Sequence, residues 1–180
     1  MAEFRLVTDR LVLRSWREDD LDAFAEICAD PLVMATLGPV LDRAETRALI
    51  ARECSYEAQW GHTFWVVERR EDGCLVGKCG LVRGRVGPIQ GRLEIGWRLA
   101  SPCWGKGYAT EAARACARWA FDTLEDDAIW AVTAAANSAS RAVMERLGME
   151  RMRRYDFDHP SLAAEDPLRP HVAYRLSRVA

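Results

Sequence analysis

The chain has no apolar run that approaches the length of a membrane span, so nothing in it reads as a transmembrane segment. It has no internal repeat, no low-complexity tract and no linker-like stretch, which leaves residues 1–180 as one domain. It has no excess of basic charge. The net charge is −2 and the pI about 6.0, so no broad basic surface for nucleic acid is expected. The opening Met1-Ala2-Glu3-Phe4-Arg5 is not a signal peptide. Closely spaced metal-type cysteines are also missing. The six cysteines are scattered at 28, 54, 74, 79, 103 and 116, and the one near pair, Cys74 and Cys79, has the spacing of neither a zinc knuckle nor a redox motif. Reduced thiols in a cytoplasmic protein, with no metal, follow from that pattern. What is present is 49% hydrophobic residues in 180, enough for a single real core.

One stretch organises the rest: Ser101-Pro102-Cys103-Trp104-Gly105-Lys106-Gly107-Tyr108-Ala109-Thr110-Glu111-Ala112. Before it, Leu93, Ile95, Trp97 and Leu99 alternate with Arg92, Glu94, Gly96 and Arg98, the period of a half-buried strand. After it, Ala109, Ala112, Ala113, Cys116, Ala117, Ala120, Phe121 and Leu124 recur at three and four residues, one face of a helix. Those residues are mostly small, so the helix can lie close to a sheet. Strand, glycine turn and helix together make an anion site, because the first turn of a helix carries unpartnered N–H groups and partial positive charge. On the glycines alone, a phosphate cradle and a bare tight turn are equally good readings. Two other phosphate loops are excluded. Gly105-Lys106-Gly107 lacks the third glycine of a dinucleotide fingerprint. Gly73 to Cys79 has its glycines too close for a nucleotide-triphosphate loop and a cysteine where Ser or Thr must hold magnesium.

In chain order, Thr8–Arg14 reads as a strand, Asp19 and Asp20 open a short helix that Asp30-Pro31 ends, and 31–41 reads as irregular. A helix from about Asp42 to Trp60 carries Ala44, Ala48, Ala51, Ser55 and Ala58 on one stripe and stops at Gly61. Strands follow at Phe64–Glu68 and Leu75–Val82 around an Asp72-Gly73 hairpin, then Arg92–Leu99. After the long helix come a strand at Ala128–Ala134 and a helix capped by Asn137 and closed by Gly148. Two tail strands, about Met149–Asp158 and His171–Leu176, flank a proline-rich segment. This order is α+β.

Three motifs carry a resemblance that runs from about Thr8 to the C-terminus. They are Thr8-Asp9-Arg10-Leu11-Val12-Leu13-Arg14; Glu94-Ile95-Gly96-Trp97 followed by Trp104 to Ala112; and Asn137-Ser138-Ala139-Ser140 followed by Met144-Glu145-Arg146-Leu147-Gly148-Met149. The chain resembles the GNAT superfamily of acyl-CoA-dependent N-acetyltransferases. Within it the chain is most similar to the RimJ/RimL-like branch, the ribosomal-protein N-terminal acetyltransferases and their relatives. The resemblance implies a central, mostly antiparallel sheet flanked by about four helices and splayed between the Arg92–Leu99 and Ala128–Ala134 strands. Acetyl-CoA would insert there. Its pantetheine arm would pair with backbone at Trp97, Arg98 and Leu99, and its pyrophosphate would lie in the stretch from Trp104 to Thr110, on the N–H groups of Gly105, Lys106, Gly107, Tyr108 and Ala109. Trp104 stands where the superfamily usually has Gln or Arg, as it often does in this branch.

Amine acetylation needs a base for the acceptor ammonium, donors for the carbonyl oxygen and help for the departing thiolate; it needs no metal and no covalent enzyme intermediate. Glu94 is the first choice as base, set against a merely solvated or Arg-paired carboxylate. The superfamily's tyrosine acid is replaced by Met144. The branch implies a serine in its stead, and Ser140 matches, against the plain alternative of a first-turn residue bonded to backbone. Asn137 would contact pantetheine, cap the helix, or both. Arg141 and Arg146 are solvated helix residues or 3′-phosphate contacts. Asp156, Asp158, His159, His171 and Tyr174 form a tail cluster whose plainest reading is a structural His–Asp pair. His62 reads as a turn residue. Trp65, Trp97, Trp119 and Trp130 belong to the core, whereas Trp16, Trp60 and Trp104 could wall an acceptor pocket.

The leading expectation is acetyl transfer from acetyl-CoA to a primary amine: a protein N-terminus, a lysine or a small amine. The competing ones are a non-catalytic acetyl-CoA sensor of the same fold, and a hydrolase using Cys103, for which a packed thiol is the simpler account. A homodimer joined through C-terminal strands is a further expectation of the family.

Overall fold

The chain opens with a tight hairpin. Strand β1 (Arg5–Val7) pairs antiparallel with β2 (Leu11–Arg14). The turn between them is held by Thr8, whose N–H donates to the Leu11 carbonyl at 2.9 Å and whose hydroxyl accepts from the Leu11 N–H at 3.0 Å. The stretch Thr8–Arg14 is therefore half turn and half strand, because the Thr8 side chain competes for backbone partners as a turn former does. The structure, a computed structural model, describes residues 3–178. Met1 and Ala2, part of the segment read against a signal peptide, and the last two residues of the 1–180 span lie outside it.

Helix α1 (Asp20–Ala29) follows, then a single turn, α2 (Pro31–Met34), inside the segment expected to be irregular. Asp30 builds that turn by accepting from the Leu32 N–H, and Pro31 is preset for a helix start. Helix α3 (Arg43–Trp60) starts with a capping box between Asp42 and Glu45 and ends at Gly61 in the left-handed region. Its alanine stripe points to solvent. The face turned inward is Thr46, Leu49 and Glu53. The Glu53 carboxylate accepts from Lys78 Nζ at 2.7 Å and from Thr63 Oγ1 at 2.9 Å, so two buried polar anchors, not small apolar residues, seat this helix. Burial pushes the Lys78 ammonium below its usual pKa.

The strands β3 (Phe64–Arg69), β4 (Leu75–Arg83), β5 (Leu93–Leu99), β6 (Ala128–Ala134), β7 (Glu150–Arg151), β8 (Phe157–Asp158) and β9 (Pro170–Ser177) complete one sheet in the order β1-β2-β3-β4-β5-β6-β9-β7, with β8 also on β9. Every pairing is antiparallel except β5 with β6. Helix α4 (Tyr108–Thr123) packs Ala112, Ala113, Cys116, Ala117 and Ala120 on one face of the sheet, against Trp65, Cys79, Leu81 and Ile95. Helices α1 and α3 cover the other face, where Val66 joins Trp16, Phe24 and Leu49. Helix α5 (Ser138–Arg146) follows β6. Among the described residues there are five α-helices, one of them a single turn, against an expectation of about four. The expected strand over Met149–Asp158 is broken into β7, a 3₁₀ turn (Arg153–Tyr155) and β8.

Between β2 and α1 lies a buried ion pair. Arg14 donates to both Asp20 oxygens, at 2.8 and 2.7 Å, and to Glu68 at 2.8 Å. Asp20 also accepts from the Arg17 N–H at 2.7 Å. Removing Arg14 strands the Asp20 carboxylate in the interior, at a cost of about 3–5 kcal/mol, and removing Asp20 leaves Arg14 with Glu68 alone, at the low end of that range. Asp20→Asn should lower unfolding free energy in urea by about 3 kcal/mol. Asp22→Asn, which loses only the exposed pair with Arg43, should cost under about 1 kcal/mol.

Candidate active site

Strands β5 and β6 share a single register pair, Glu94 with Trp130. Beyond that point β5 runs on to Leu99 and β6 to Ala134 with no further pairing, while on its other side β5 stays paired with β4 from Leu93 through Leu99. The edge of Ile95–Leu99 that faces β6 thus offers backbone groups with no strand opposite. Such groups must be satisfied by water or by a guest. Trp97, Arg98 and Leu99 lie along this edge. The Arg98 side chain turns away from it, to the α1 face, where it donates to Cys28 Sγ at 3.1 Å. The Leu99 carbonyl at the end of the edge accepts from the Trp104 indole at 2.9 Å. This bond gives Trp104 a structural task and leaves its ring half exposed.

The glycine turn sits at the open end of this gap. Gly105 and Gly107 have φ of 74° and 81°, left-handed values that an L side chain rarely adopts, and no side chain caps α4. Among the described residues, the N–H groups from Gly105 to Thr110 have no hydrogen-bond acceptor. They belong to Gly105, Lys106, Gly107, Tyr108, Ala109 and Thr110, the span the sequence marks for a pyrophosphate. The turn is held from behind. Arg10 donates to the Lys106 carbonyl at 2.9 Å and to Glu111 at 2.7 Å, and stacks over the Tyr108 ring at 4.7 Å. Glu111 also accepts from the Thr8 hydroxyl at 2.6 Å and from the Arg10 N–H at 2.9 Å. Burial raises the Glu111 carboxyl, but these hydrogen bonds outweigh it, so its pKa lies below the ordinary value. The N-terminal hairpin and the glycine turn are one network. Thr8, Arg10 and Glu111 all stand in the motifs, but no local spacing reveals the contact.

Glu94 lies where the strands begin to part, on the face opposite Ile95 and Trp97. It is half-buried, its carboxylate has no ion pair or hydrogen bond among the described residues, and burial pushes its pKa up to about 7. Such a carboxyl exchanges a proton near neutral pH. Asn137 is buried, and its side chain accepts from the Ser140 N–H at 3.0 Å, which makes it the cap of α5. Ser140 is half-buried one turn before Met144, which is in the core.

The other sequence candidates fall elsewhere. The tail holds no His–Asp pair among the described residues. Asp156 is bound by Arg151 at 2.8 Å and Asp158 lies 3.3 Å from Arg169, so the arginines claim the carboxylates. His159 and His171 instead lie ring to ring at 5.0 Å, with Phe157 5.4 Å from His171. Tyr174 donates to Glu145 at 3.3 Å, and Arg141 donates to the Ala135 carbonyl at 3.2 Å. Arg146 is exposed. His62 is buried, with Nδ1 2.8 Å from the Leu81 carbonyl, and burial lowers its pKa. Trp16 is buried and donates to the Phe64 carbonyl at 2.8 Å, so it is core rather than pocket wall. Trp60 stacks on Tyr56 and His62. Trp65 and Trp130 are buried, and Trp97 and Trp119 pack against the core. Cys103 is buried, and burial pushes its thiol up, away from the thiolate a nucleophile needs. With a thiol reagent at neutral pH, the folded protein should react rapidly at the exposed Cys74 and more slowly at Cys54, whose thiol is pushed up by partial burial and by the carboxylates of Glu57 and Glu53. Cys28, Cys79, Cys103 and Cys116 should be labelled only on unfolding, as peptide mass mapping will read.

The chain matches the acetyltransferase (GNAT) domain family over residues 10–150. It is 34% identical over 149 residues to the uncharacterised protein YkkB of Bacillus subtilis, covering 82% of this chain and 86% of that protein. An acetyltransferase structure from Agrobacterium tumefaciens superposes with a TM-score of 0.80 at 28% identity, covering 99% of this chain and 96% of the other. RimL, a ribosomal L7/L12 alpha-N-protein acetyltransferase solved with coenzyme A, shares the fold with a TM-score of 0.78 at 16% identity, covering 97% and 98%. A parted β5–β6 edge, an open glycine turn and these matches lead to one conclusion: the chain belongs to the GNAT acetyltransferase family.

Proposed function

We propose that the protein transfers an acetyl group from acetyl-CoA to a primary amine by direct attack in a ternary complex, as a single domain acting in the cytoplasm. The observation that carries this reading is the run of acceptor-less N–H groups from Gly105 to Thr110 beside the unpaired edge of β5. A pyrophosphate fits the first and an extended amide-bearing arm fits the second, like an added strand. The coenzyme A bound to RimL in the same fold supports the donor. RimL's acceptor and the Thr8–Arg14 motif favour the RimJ/RimL-like branch, with a protein N-terminus as the acceptor class, and pairing through C-terminal strands gives a homodimer.

Acetyl-CoA supplies an activated thioester. The chain's own groups do the rest. The backbone of Trp97, Arg98 and Leu99 aligns the arm, and the turn from Trp104 to Thr110 holds the phosphates. Glu94, ionised above its raised pKa of about 7, takes the proton from the acceptor ammonium directly or through water. Free N–H groups of β5 stabilise charge on the carbonyl oxygen. Ser140, at the mouth of α5 with Asn137 holding the helix start, donates to the departing sulfur. A second reading, a non-catalytic acetyl-CoA sensor, is favoured by Met144, which stands buried where the superfamily has its acid.

Thiol release from acetyl-CoA in the presence of N-terminal peptides, lysine peptides, amino acids, polyamines or aminoglycosides separates the two. Turnover with one class supports the enzyme; binding without turnover across the panel supports the sensor. Because the Glu94 pKa is raised, its base form is lost as pH falls. The reading therefore predicts kcat/KM dropping below about pH 7. Glu94→Gln should lower kcat by about 10²–10⁴ and move that limb to the pKa of the acceptor amine. Arg10→Ala, which releases the Lys106 carbonyl and Glu111, should raise KM for acetyl-CoA about tenfold or more and leave KM for the amine unchanged.

A further inference from the structure

We propose that the pocket at the far end of β5 and β6 from the glycine turn is a binding site for a small polyanion. It is a cavity of about 480 Å³ at the starts of both strands, lined among others by Arg92, Trp130, Arg154, Tyr155 and Arg175. The length of β5, seven residues or roughly 20 Å, separates it from the glycine turn. Its volume is that of a small-molecule site.

Charge and geometry specify the guest. Among the described residues, Arg92, Arg154 and Arg175 make no ion pair, although ten other pairs form there. Of the two acids on the rim, Asp126 is already taken by Arg83 in a two-pronged contact at 2.6 and 3.0 Å. Asp127 alone opposes three guanidinium groups. The arginines are braced by rings rather than by carboxylates. The Arg92 guanidinium lies 4.4 Å from the Trp130 ring centre and 5.0 Å from that of Tyr155, Arg154 lies 4.9 Å from Tyr155, and Arg175 lies 5.9 Å from Trp130. Stacking fixes the planes and leaves N–H edges to fork onto phosphate or carboxylate oxygens. The Tyr155 phenol senses the same field: hydrogen bonding with Arg92 and the charge of Arg154 draw its pKa below the usual value. Three cations against one free carboxylate suit a guest carrying two or more negative charges, a polyphosphate or a polycarboxylate.

The pocket is anchored to the fold. Trp130 is the register partner of Glu94, and Arg92 lies two residues before Glu94 on the same strand face. The site therefore sits beneath the point where the strands begin to part.

Calorimetric titration with tripolyphosphate and, separately, with citrate at 0.15 M salt scale, about the physiological ionic strength, tests the proposal. Coenzyme A is kept present so that the glycine turn is occupied. One saturable site per chain is expected, weakened at least about tenfold, or 1.4 kcal/mol, by Arg92→Gln with Arg175→Gln. Arg154→Gln alone, on an exposed turn, should weaken it less, and Arg118→Gln, which is exposed and outside the pocket, should leave it unchanged. Binding of tripolyphosphate alone assigns the phosphate class, and binding of citrate alone the carboxylate class. The Arg154 variant reads the site even if the double variant fails to fold, and the arginine variants read it whether or not coenzyme A binds. No saturable binding by either anion, or binding equally tight in all the pocket variants, overturns the proposal.

Discussion

The constraint on which the structure depends is the parting of two parallel strands after one pair of residues. Glu94 and Trp130 are joined in register, and nothing beyond them is. An unpaired strand edge inside a protein leaves backbone donors and acceptors without partners, a state that is costly unless something else supplies them. The edge of β5 remains firm because β4 holds its other side through Leu99. The glycine turn that follows is likewise held open by its own conformation, with Gly105 and Gly107 in the left-handed region. The two features share one property: backbone groups presented and left free. In the proposed function, a long, polar, phosphate-bearing arm would be bound with few dedicated side chains.

The turn would be a loose loop without its brace. Arg10, Thr8 and Glu111 tie it to the first hairpin, and the hairpin is itself the edge of the sheet. On the far side of β2, Arg14 performs a similar task with Asp20 and Glu68, joining the same hairpin to α1 and β3. A short stretch of chain therefore fixes the glycine turn through one arginine and the helical layer through another. The glycine turn carries no charged side chain of its own except Lys106, so in the proposed function its selectivity for phosphate would rest on N–H direction and on the α4 dipole.

Much of this was legible in sequence, for identifiable reasons. The α4 alanine face, β6 and the Asn137 cap follow from periodicity and short-range capping chemistry, which tertiary packing here reinforces. The α3 stripe was legible as a stripe but not as the exposed side. Alanine is a helix former wherever it stands, and Thr46 and Glu53 face inward only because Thr63 and Lys78 wait for Glu53 across the sheet. The turn hidden in Thr8–Arg14 is closed by the Thr8 N–H on the Leu11 carbonyl and by the Thr8 hydroxyl on the Leu11 N–H. The Arg10–Glu111 contact spans 101 residues and leaves no local trace. The tail pairing failed because Arg151 and Arg169 reach the aspartates first. Glu94 was singled out for its place on the strand. Its raised pKa comes from burial among neighbours that the sequence alone does not position.

The most direct test of the account is amide hydrogen exchange across residues 95–110, with and without acetyl-CoA. If the open turn and the free edge of β5 are the donor site, the N–H groups of Gly105 to Thr110 exchange fast in the free protein and slow sharply on binding. The free-edge amides of β5 should slow with them, while β2 and β3 stay unchanged. Protection that appears elsewhere, with no change across 95–110, contradicts it.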